Sequence, residues 1–294
     1  MVKVNIFLGL VTHPGSRFAG GAGDGGLVKV LAGHLRAAGA TVTVQINDTD
    51  EYEEAMLPLD RDQVVASITD TFQAEAQWRE FLDESPPSLY LRTVLTALRL
   101  ARTTRLAPPW RPNLSPESAG IRMLRRLLNI EFAHLTLMRQ AINANSEWAL
   151  IVEDDASTED VEAFADQLIR FTAEHTQQDQ PTYVNVSESF NHAQLKSTHL
   201  LTRIDTWPLT TDSEGDVLSS RKPITNTVCA ILYRTSFLVE LVAEIDALPL
   251  SPVIPIDWKL NRALMNLFAK GTVAAGDCWL ISPAPLIQRS MHAT

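Results

Sequence analysis

The sequence contains few cysteines and fewer basic than acidic residues. Its two cysteines, Cys229 and Cys278, lie far apart and form no Cys-x-x-Cys motif. This pattern indicates neither a disulfide framework nor a zinc site, and it fits a reducing compartment. Lys and Arg number 25 against 35 Asp and Glu, which gives a formal net charge of -10. Because nucleic-acid binding relies on basic residues to neutralise phosphates, we expect no nucleic-acid partner.

Long apolar runs and internal repeats are also missing from the sequence. The apolar segment Val2 to Val11 contains Lys3 and Asn5 and is too short to cross a bilayer, so we interpret it as a first strand. With 45% hydrophobic and 20% charged residues, 294 residues can bury a large core. We expect a cytoplasmic protein whose residues 1–294 form a single domain.

The first fifty residues follow a β-α-β pattern. Strand-like Val4 to Val11 precedes an apolar-periodic helix from Leu27 to about Ala38, and Gly39 follows where a C-terminal glycine of a helix belongs. Thr41 to Ile46 then reads as a second strand. The pattern predicts an α/β fold with a Rossmann-like, mostly parallel central sheet flanked by helices, and ligands at the carboxyl ends of its strands. Asp48 lies at one such end.

Residues 60–112 are predicted to be a helical insertion that ends in a proline-rich linker. Leu91, Val94, Leu95 and Leu98 recur at helical spacing and are expected to form the buried side of this insertion. Five arginines occur between Arg92 and Arg111 without an intervening acid. They predict docking of an anionic acceptor or peripheral contact with the inner membrane face; the alternative is a solvated helix face.

Helices and strands alternate again in the second half of the chain. The predicted helices are Ser115 to about Ile142, Thr158 to Glu174, Thr235 to Ala247 and Asp257 to Lys270. The predicted strands are Trp148 to Val152, Tyr183 to Val186 and Thr227 to Tyr233. Asp205 to Asp216 carries Pro, Gly, Thr and Ser and is predicted to be a loop.

Three consecutive acids, Glu153, Asp154 and Asp155, end the apolar strand Trp-Ala-Leu-Ile-Val. Their mutual repulsion would be offset by a hard divalent cation such as Mg²⁺ or Mn²⁺, which prefers oxygen ligands and binds carboxylates together with phosphate oxygens. The alternative is that the acids decorate the N-terminus of the next helix. Ser157 or Thr158 is the better predicted cap of that helix, which weakens the alternative.

The segment from Asn129 through His134 to Ala141, followed by Trp148-Ala-Leu-Ile-Val-Glu-Asp-Asp-Ala156, resembles the lipopolysaccharide-biosynthesis glycosyltransferase family, which also includes collagen galactosyltransferases. In that family a histidine-bearing helix precedes a strand that ends in Leu-Glu-Asp-Asp-Val. Ile254 to Trp258 and Pro283 to Ser290 are similar to later family motifs. The resemblance covers Ser115 to His292; the glycine-rich loop and the helical insertion depart from it, so a related GT-A branch fits equally well.

The resemblance implies a GT-A fold and an inverting, hexosyltransferase-like enzyme that depends on Mn²⁺ or Mg²⁺. The donor would be a UDP- or GDP-linked sugar, and the acceptor a hydroxyl of a glycan, a glycolipid or a small molecule. By resemblance, Asp155 is the metal ligand and Glu153 contacts the donor. Asp154 would bind the metal or its water shell.

An inverting transferase also needs a base for the acceptor hydroxyl, and Asp257 is the candidate. The alternative is that Asp257 is the N-cap of a helix that begins at Trp258. His292 is a candidate ligand of the metal or the diphosphate, against the alternative of a frayed terminus. For His134, a hydrogen-bonded structural role is favoured over catalysis.

The glycine-rich stretch Gly21 to Gly26 satisfies G-x-G-x-x-G and precedes a helix, with Asp48 about twenty residues further on. It therefore also fits an NAD(P)-dependent oxidoreductase, although Thr12 to Gly20 separate it from the strand. If the loop binds the nucleotide donor, Thr12 and Arg17 would contact the phosphates and Asp48 the base. For Arg17, a flexible surface loop is the alternative.

A GT-B transferase and a non-catalytic binding module are two further alternatives to a GT-A enzyme. Gly39-Ala-Thr-Val-Thr-Val44 resembles the Gly-x-x-Val-x-Val strand that often follows the glycine-rich first loop and helix of GT-B transferases. Those enzymes generally need no acidic metal motif, so metal binding by the triplet would decide against them. A non-catalytic nucleotide-sugar-binding module is the third hypothesis. Binding of a nucleotide without turnover would support it.

Overall fold

The computed structural model describes residues 4–12, 26–48, 91, 94–95, 119–176, 178, 180–188, 200–210, 213–221, 227–248 and 255–292. The strands are β1 Asn5–Thr12, β2 Thr41–Asp48, β3 Trp148–Glu153, β4 Ala156–Ser157, β5 Tyr183–Asn185, β6 Leu201–Thr210, β7 Ser213–Ser220, β8 Ala230–Arg234, β9 Cys278–Ser282 and β10 Ile287–Gln288. The helices are α1 Gly26–Ala37, α2 Ala119–Asn143, α3 Val161–His175, α4 Thr235–Ala247, α5 Ile256–Ala269 and α6 Arg289–His292.

Eight strands form one mixed sheet in the order β2-β1-β3-β8-β5-β9-β7-β6. β1 pairs in parallel with β2 and β3, and β5 pairs in parallel with β9, whereas β8 and β7 are antiparallel to their neighbours. Six of these eight strands therefore point in one direction and two are reversed. The predicted α/β class with a large, Rossmann-like central sheet flanked by helices is confirmed at this level. β4 and β10 form a separate two-stranded ribbon.

Each central strand sends alternate side chains to opposite faces of the sheet, because side chains repeat with a period of two along a strand. In β3, Trp148, Leu150 and Val152 join one hydrophobic core with α1 and α3. Ala149 and Ile151 join a second core with α2, α4 and α5. The sheet is thus the middle layer of three.

Local sequence signals explain where α1 ends. Gly39 adopts φ +95°, which a residue with a side chain rarely adopts. Its N–H donates to Arg36 O at 3.0 Å and the N–H of Ala40 donates to Leu35 O at 3.0 Å, so carbonyls at the end of the helix are satisfied. The prediction for Gly39 is confirmed, and β2 begins two residues later.

The start of α3 differs from the prediction. Asp160, not Ser157 or Thr158, is the N-cap, and its Oδ1 accepts a hydrogen bond from the N–H of Ala163 at 2.8 Å. Ser157 lies three residues before the N-cap position, in β4, where it pairs with Ile287 of β10. Glu153, Asp154 and Asp155 are therefore separated from α3 by a strand and do not lie in its first turn.

We expect Asp160→Ala to lower the free energy of unfolding by about 1 kcal/mol, since it removes the acceptor of an otherwise unpaired helical N–H. Urea denaturation followed by circular dichroism measures this loss. Asp166→Ala, at an exposed position of the same helix, is the control and should change stability by less than about 0.5 kcal/mol. Equal effects of the two substitutions would contradict the capping role.

Two predictions made from local patterns are wrong. Asp205 to Asp216 is not a loop: it belongs to the long hairpin β6–β7, and β7 also pairs with β9. Leu91 and Leu95 are helical, but their side chains are 59% and 55% exposed, so they do not form a buried side. The rest of the predicted insertion, including Arg92 and Arg111, lies outside the described residues, and no described helix is long and apolar enough to span a membrane.

Candidate functional site

Several polar side chains meet at one edge of the sheet, where β1, β2 and β3 end. Thr12 is the register partner of Asp48, and Val11 is the partner of Glu153. β8 runs in the opposite direction and begins at this edge, which places Cys229 beside the end of β3: the N–H of Glu153 donates to Cys229 O at 2.7 Å. The parallel start of the fold and the reversed strand thus bring separate parts of the sequence together.

The turn after β3 is fixed from both sides. Thr12 Oγ1 donates to Asp154 Oδ2 at 2.8 Å, and the N–H of Asp154 donates to Val11 O at 3.0 Å. Arg289, the first residue of α6, donates from its guanidinium Nη2 to Asp154 O at 2.8 Å. Its backbone N–H also donates to Asp155 O at 2.9 Å. A cationic side chain therefore lies against the acidic turn.

Glu153, Asp155 and Cys229 form the one group of potential metal ligands among the described residues. One ligand atom of each lies within 4.8 Å of the others. The Asp155 side chain is buried, and the Cys229 thiol donates to Asp155 Oδ1 at 3.7 Å. Burial, together with the negative charges of Glu153 and Asp155, raises the pKa of the Cys229 thiol.

His134, on α2, contacts the side chain of Glu153. Its Nε2 lies 3.2 Å from Glu153 Oε1, and its side chain is 1% exposed. An ionised Glu153 carboxylate can only accept here, so it fits the His134 tautomer that carries its proton on Nε2. Nδ1 is buried and has no hydrogen-bond partner among the described residues. The structural role expected for His134 thus consists of orienting a carboxylate of the acidic triplet.

Two clefts flank Glu153, and its side chain lines both of them. The β1-side cleft has a volume of about 260 Å³ and is lined by Leu10, Leu27, Glu153, Asp154, Thr158 and Arg289, among others. The α5-side cleft has a volume of about 320 Å³ and is lined by Glu153, Glu188, Thr227, Val228, Asp257 and Gln288, among others.

Asp257 lies in the first turn of α5 and faces the α5-side cleft. Burial raises the pKa of its carboxyl group to about 7, and the nearby charge of Glu153 adds to the shift, while backbone hydrogen bonds from Trp258 and Asp257 itself oppose it. The alternative prediction that Asp257 caps the helix is wrong, because Pro255 occupies the N-cap position. Asp257 therefore belongs to the α5-side cleft and not to the cap of α5.

A buried ion pair anchors the helix that carries Asp257. Lys259 Nζ lies 2.5 Å from Glu131 Oε2 on α2, with the two side chains 3% and 7% exposed. Burial raises the pKa of Glu131, and the positive charge of Lys259 opposes the shift. The pair connects the first turn of α5 with α2, the helix that carries His134. Residues of both helices line the α5-side cleft, so the pair fixes the position of one wall relative to the other.

The sequence matches the profile of no known protein family, and a search of curated proteins finds no relative. Assignment of a function therefore rests on the geometry of these two clefts and on the resemblance described above.

The structure brings together most of the residues predicted to form the site. Thr12, Glu153, Asp154 and Asp155 lie around one turn, and Asp257 faces the cleft that Glu153 lines. Asp48 ends β2 beside Thr12, and His292 ends α6; the side chains of both, like all of Arg17 and most of the glycine-rich stretch, lie outside the described residues. The predicted roles of these residues stay predictions.

Four residues of this site were not predicted: Glu188, Cys229, Gln288 and Arg289. Gln288 and Arg289 lie in the late segment that carries part of the family resemblance, which was the available signal. Cys229 follows no metal-ligand spacing, and Glu188 lies in no motif. Cys229 joins the site through the pairing of β8 with β3, and Glu188 follows β5, which pairs with β8.

Proposed function

We propose that this protein is a glycosyltransferase that moves a sugar from a nucleotide-sugar donor to an acceptor hydroxyl. One observation carries the proposal: Glu153 separates two adjacent clefts at the carboxyl edge of the sheet, of which one contains an acidic turn with Arg289 and the other a carboxyl group with a pKa of about 7. Two substrates that react at one point need such a paired arrangement.

The β1-side cleft is the proposed donor site. Ligands of open α/β sheets bind outside the carboxyl ends of the strands, and this cleft lies at the ends of β1 and β3. The Arg289 guanidinium would attract the diphosphate, because its planar fork matches phosphate oxygens. Leu10, Leu27 and Val30 give the cleft an apolar wall on which a base or sugar ring would pack. Thr12 remains a proposed contact to the phosphates, and Asp48 remains the proposed contact to the base.

Oxygen atoms of Glu153 and Asp155 fit a divalent cation such as Mn²⁺ or Mg²⁺, since such ions bind protein carboxylates together with phosphate oxygens. A bound cation would neutralise negative charge on the departing diphosphate. Glu153 is held in place for this role by His134, and Asp155 by its burial. The Asp154 carboxylate already accepts a hydrogen bond from Thr12, so we propose that it contacts water molecules around the cation and not the cation itself.

Asp257 is the proposed general base in the α5-side cleft. Its carboxylate would take the proton of the acceptor hydroxyl as the hydroxyl oxygen bonds to the anomeric carbon and the bond from that carbon to the diphosphate breaks. A pKa of about 7 suits this role, because a base works best when its pKa is near the working pH. We propose inversion at the anomeric carbon, and NMR of the product anomer tests it. Glycans, glycolipids and small hydroxyl compounds are the proposed acceptors.

Calorimetric titration of UDP and GDP, with and without Mn²⁺, tests the donor site. We expect one nucleotide to bind in the presence of Mn²⁺ and Asp155→Asn to weaken this binding at least about tenfold, because even residues behind the ligands typically contribute about 10- to 100-fold to metal affinity. Asn keeps the shape of the buried side chain but removes its charge.

Asp166→Asn, at an exposed position of α3, is the control and should bind the nucleotide like the wild type. If neither nucleotide binds to the folded protein, the proposed function is wrong. NADH binding in the same instrument would then move the oxidoreductase hypothesis forward, and binding of UDP or GDP without turnover of any sugar donor would favour a non-catalytic binding module.

A further inference from the structure

The group Glu153, Asp155 and Cys229 combines two carboxylates with a thiol, and the thiol is unusual beside a site for a hard cation. Mg²⁺ and Mn²⁺ prefer oxygen, whereas thiolate sulfur favours Zn²⁺ and other softer transition metals. We propose that Cys229 is a third protein ligand of the cation at this site, so that the site also takes a thiolate-binding divalent ion such as Zn²⁺ or Co²⁺.

The distances carry this inference. Zn–S bonds of about 2.3 Å and Zn–O bonds of about 2.0–2.2 Å at a tetrahedral angle place sulfur and oxygen about 3.5–3.7 Å apart. Cys229 Sγ lies 3.7 Å from Asp155 Oδ1, and a Glu153 oxygen lies within 4.8 Å of both atoms. One ion between the three atoms would need only a small movement of Glu153, whose side chain is 19% exposed and therefore the least confined of the three.

The backbone holds Cys229 in position before any ion binds. Its N–H donates to Thr227 Oγ1 at 3.1 Å, and its carbonyl oxygen accepts from the N–H of Glu153 at 2.7 Å. His134 in turn holds one oxygen of Glu153. Metal ligands are commonly oriented by such contacts, which reduce the reorganisation that binding requires.

Three protein ligands leave one coordination position of the ion open for an atom of the substrate. Catalytic zinc sites have three protein ligands and leave one position for water or substrate. Here Glu153 lines the cleft that the nucleotide diphosphate would enter, so a phosphate oxygen in that cleft would take the fourth position. The Cys229 thiol donates a hydrogen bond to Asp155 Oδ1, and an ion that binds to the sulfur would displace the thiol proton to solvent.

The inference rests on the proposed function only for the role of the ion, because the site itself can be tested without any nucleotide. Relative affinity alone would not decide it, since most sites bind Zn²⁺ and Co²⁺ more tightly than Mn²⁺. Sulfur coordination has its own signature, the near-ultraviolet charge-transfer band from thiolate to Co²⁺. The experiment is a titration of the metal-free full-length chain with Co²⁺, followed by its absorption spectrum.

We expect the band to saturate at one Co²⁺ per chain and to disappear on addition of Zn²⁺. Cys229→Ser should abolish the band and weaken Co²⁺ binding at least about tenfold. Cys278→Ser is the matched control, because Cys278 is the other cysteine of the chain and is also buried. It should leave the band unchanged, and since that variant retains a single cysteine, its band can come only from Cys229.

Co²⁺ that binds without the band, a band that survives in Cys229→Ser, or no Co²⁺ binding to the folded wild type would each overturn the proposal. The Cys278→Ser spectrum decides the question even if Cys229→Ser does not fold. Mn²⁺-dependent UDP or GDP binding that is insensitive to Cys229→Ser would leave the proposed function standing and remove sulfur from its site. A Cys229-dependent band in a protein that binds neither nucleotide would do the reverse.

Discussion

Asp257→Asn is expected to lower kcat for sugar transfer by about 10²- to 10⁴-fold, the usual contribution of a general base. Asn retains the size and polarity of the side chain but cannot accept a proton from the acceptor. Nucleotide affinity should remain near that of the wild type, because Asp257 lines the α5-side cleft and not the β1-side cleft. Steady-state kinetics combined with nucleotide titration separates the two effects.

The pH profile gives this prediction its sharpest form. Since the ionised carboxylate is the active form, kcat of the wild type should rise with pH and level off above about 7, whereas the residual activity of the variant should lack that rise. Glu240→Gln, at an exposed position of α4, is the control and should keep the wild-type profile. A variant whose kcat stays within about twofold of the wild type would show that the base lies elsewhere.

Asp257→Asn, which lowers kcat, should raise the free energy of unfolding at alkaline pH. In the unfolded chain Asp257 ionises near pH 3.9, but in the folded protein it keeps its proton up to about pH 7. Its contribution to stability is therefore fully present below about pH 4 and is lost as the pH rises through 7. At pH 8 the folded variant, which has no buried charge at this position, should be more stable than the wild type.

Lys259→Met is expected to lower the free energy of unfolding by about 3–5 kcal/mol. The substitution keeps most of the side-chain volume but leaves the Glu131 carboxylate buried without its partner. Because the unpaired carboxyl group will hold its proton to higher pH, the loss should be smaller in acid and larger at pH 8. Chemical denaturation at two pH values measures both the loss and its direction.

Two further variants separate burial from charge pairing. The double variant Glu131→Leu with Lys259→Met should recover most of the lost stability, since apolar pairs often replace buried ion pairs without cost. Arg139→Ala breaks another ion pair that joins α2 to α4, with side chains 43% and 48% exposed, and should cost less than about 1 kcal/mol. A loss from Arg139→Ala as large as that from Lys259→Met would contradict the role assigned to burial.

Elements with a strong local pattern could be predicted from the sequence. α4 was predicted with its observed bounds, and β3 and α5 to within one residue at each end, because apolar runs and helical periodicity reflect the faces that these segments bury. The carboxyl edge was also predictable in part, since a β-α-β start places Thr12 and Asp48 at the same edge as Glu153.

Other features could not be predicted, because they depend on contacts between segments that are distant in the sequence. The hairpin β6–β7 contains Pro208 and Gly215, which favour a loop locally, but β7 is held as a strand by its pairing with β9. Cys229 lies 74 residues from Asp155 in the sequence and reaches it only because β8 pairs with β3. The N-cap of α3 is Asp160 and not the predicted Ser157, because pairing with β10 makes Ser157 part of β4.

β6 is the outermost described strand at its side of the sheet, and such edges offer unpaired N–H and C=O groups to strands of other molecules. Its pairing with β7 is irregular between Arg203 and Asp205 and again between Pro208 and Thr210. Proline has no N–H to donate, and each irregularity twists the strand away from a flat geometry. Arg203 also forms an ion pair with Asp216, at a distance of 2.8 Å, on this hairpin. At high concentration, this side of the molecule should therefore resist growth of the sheet into fibrils.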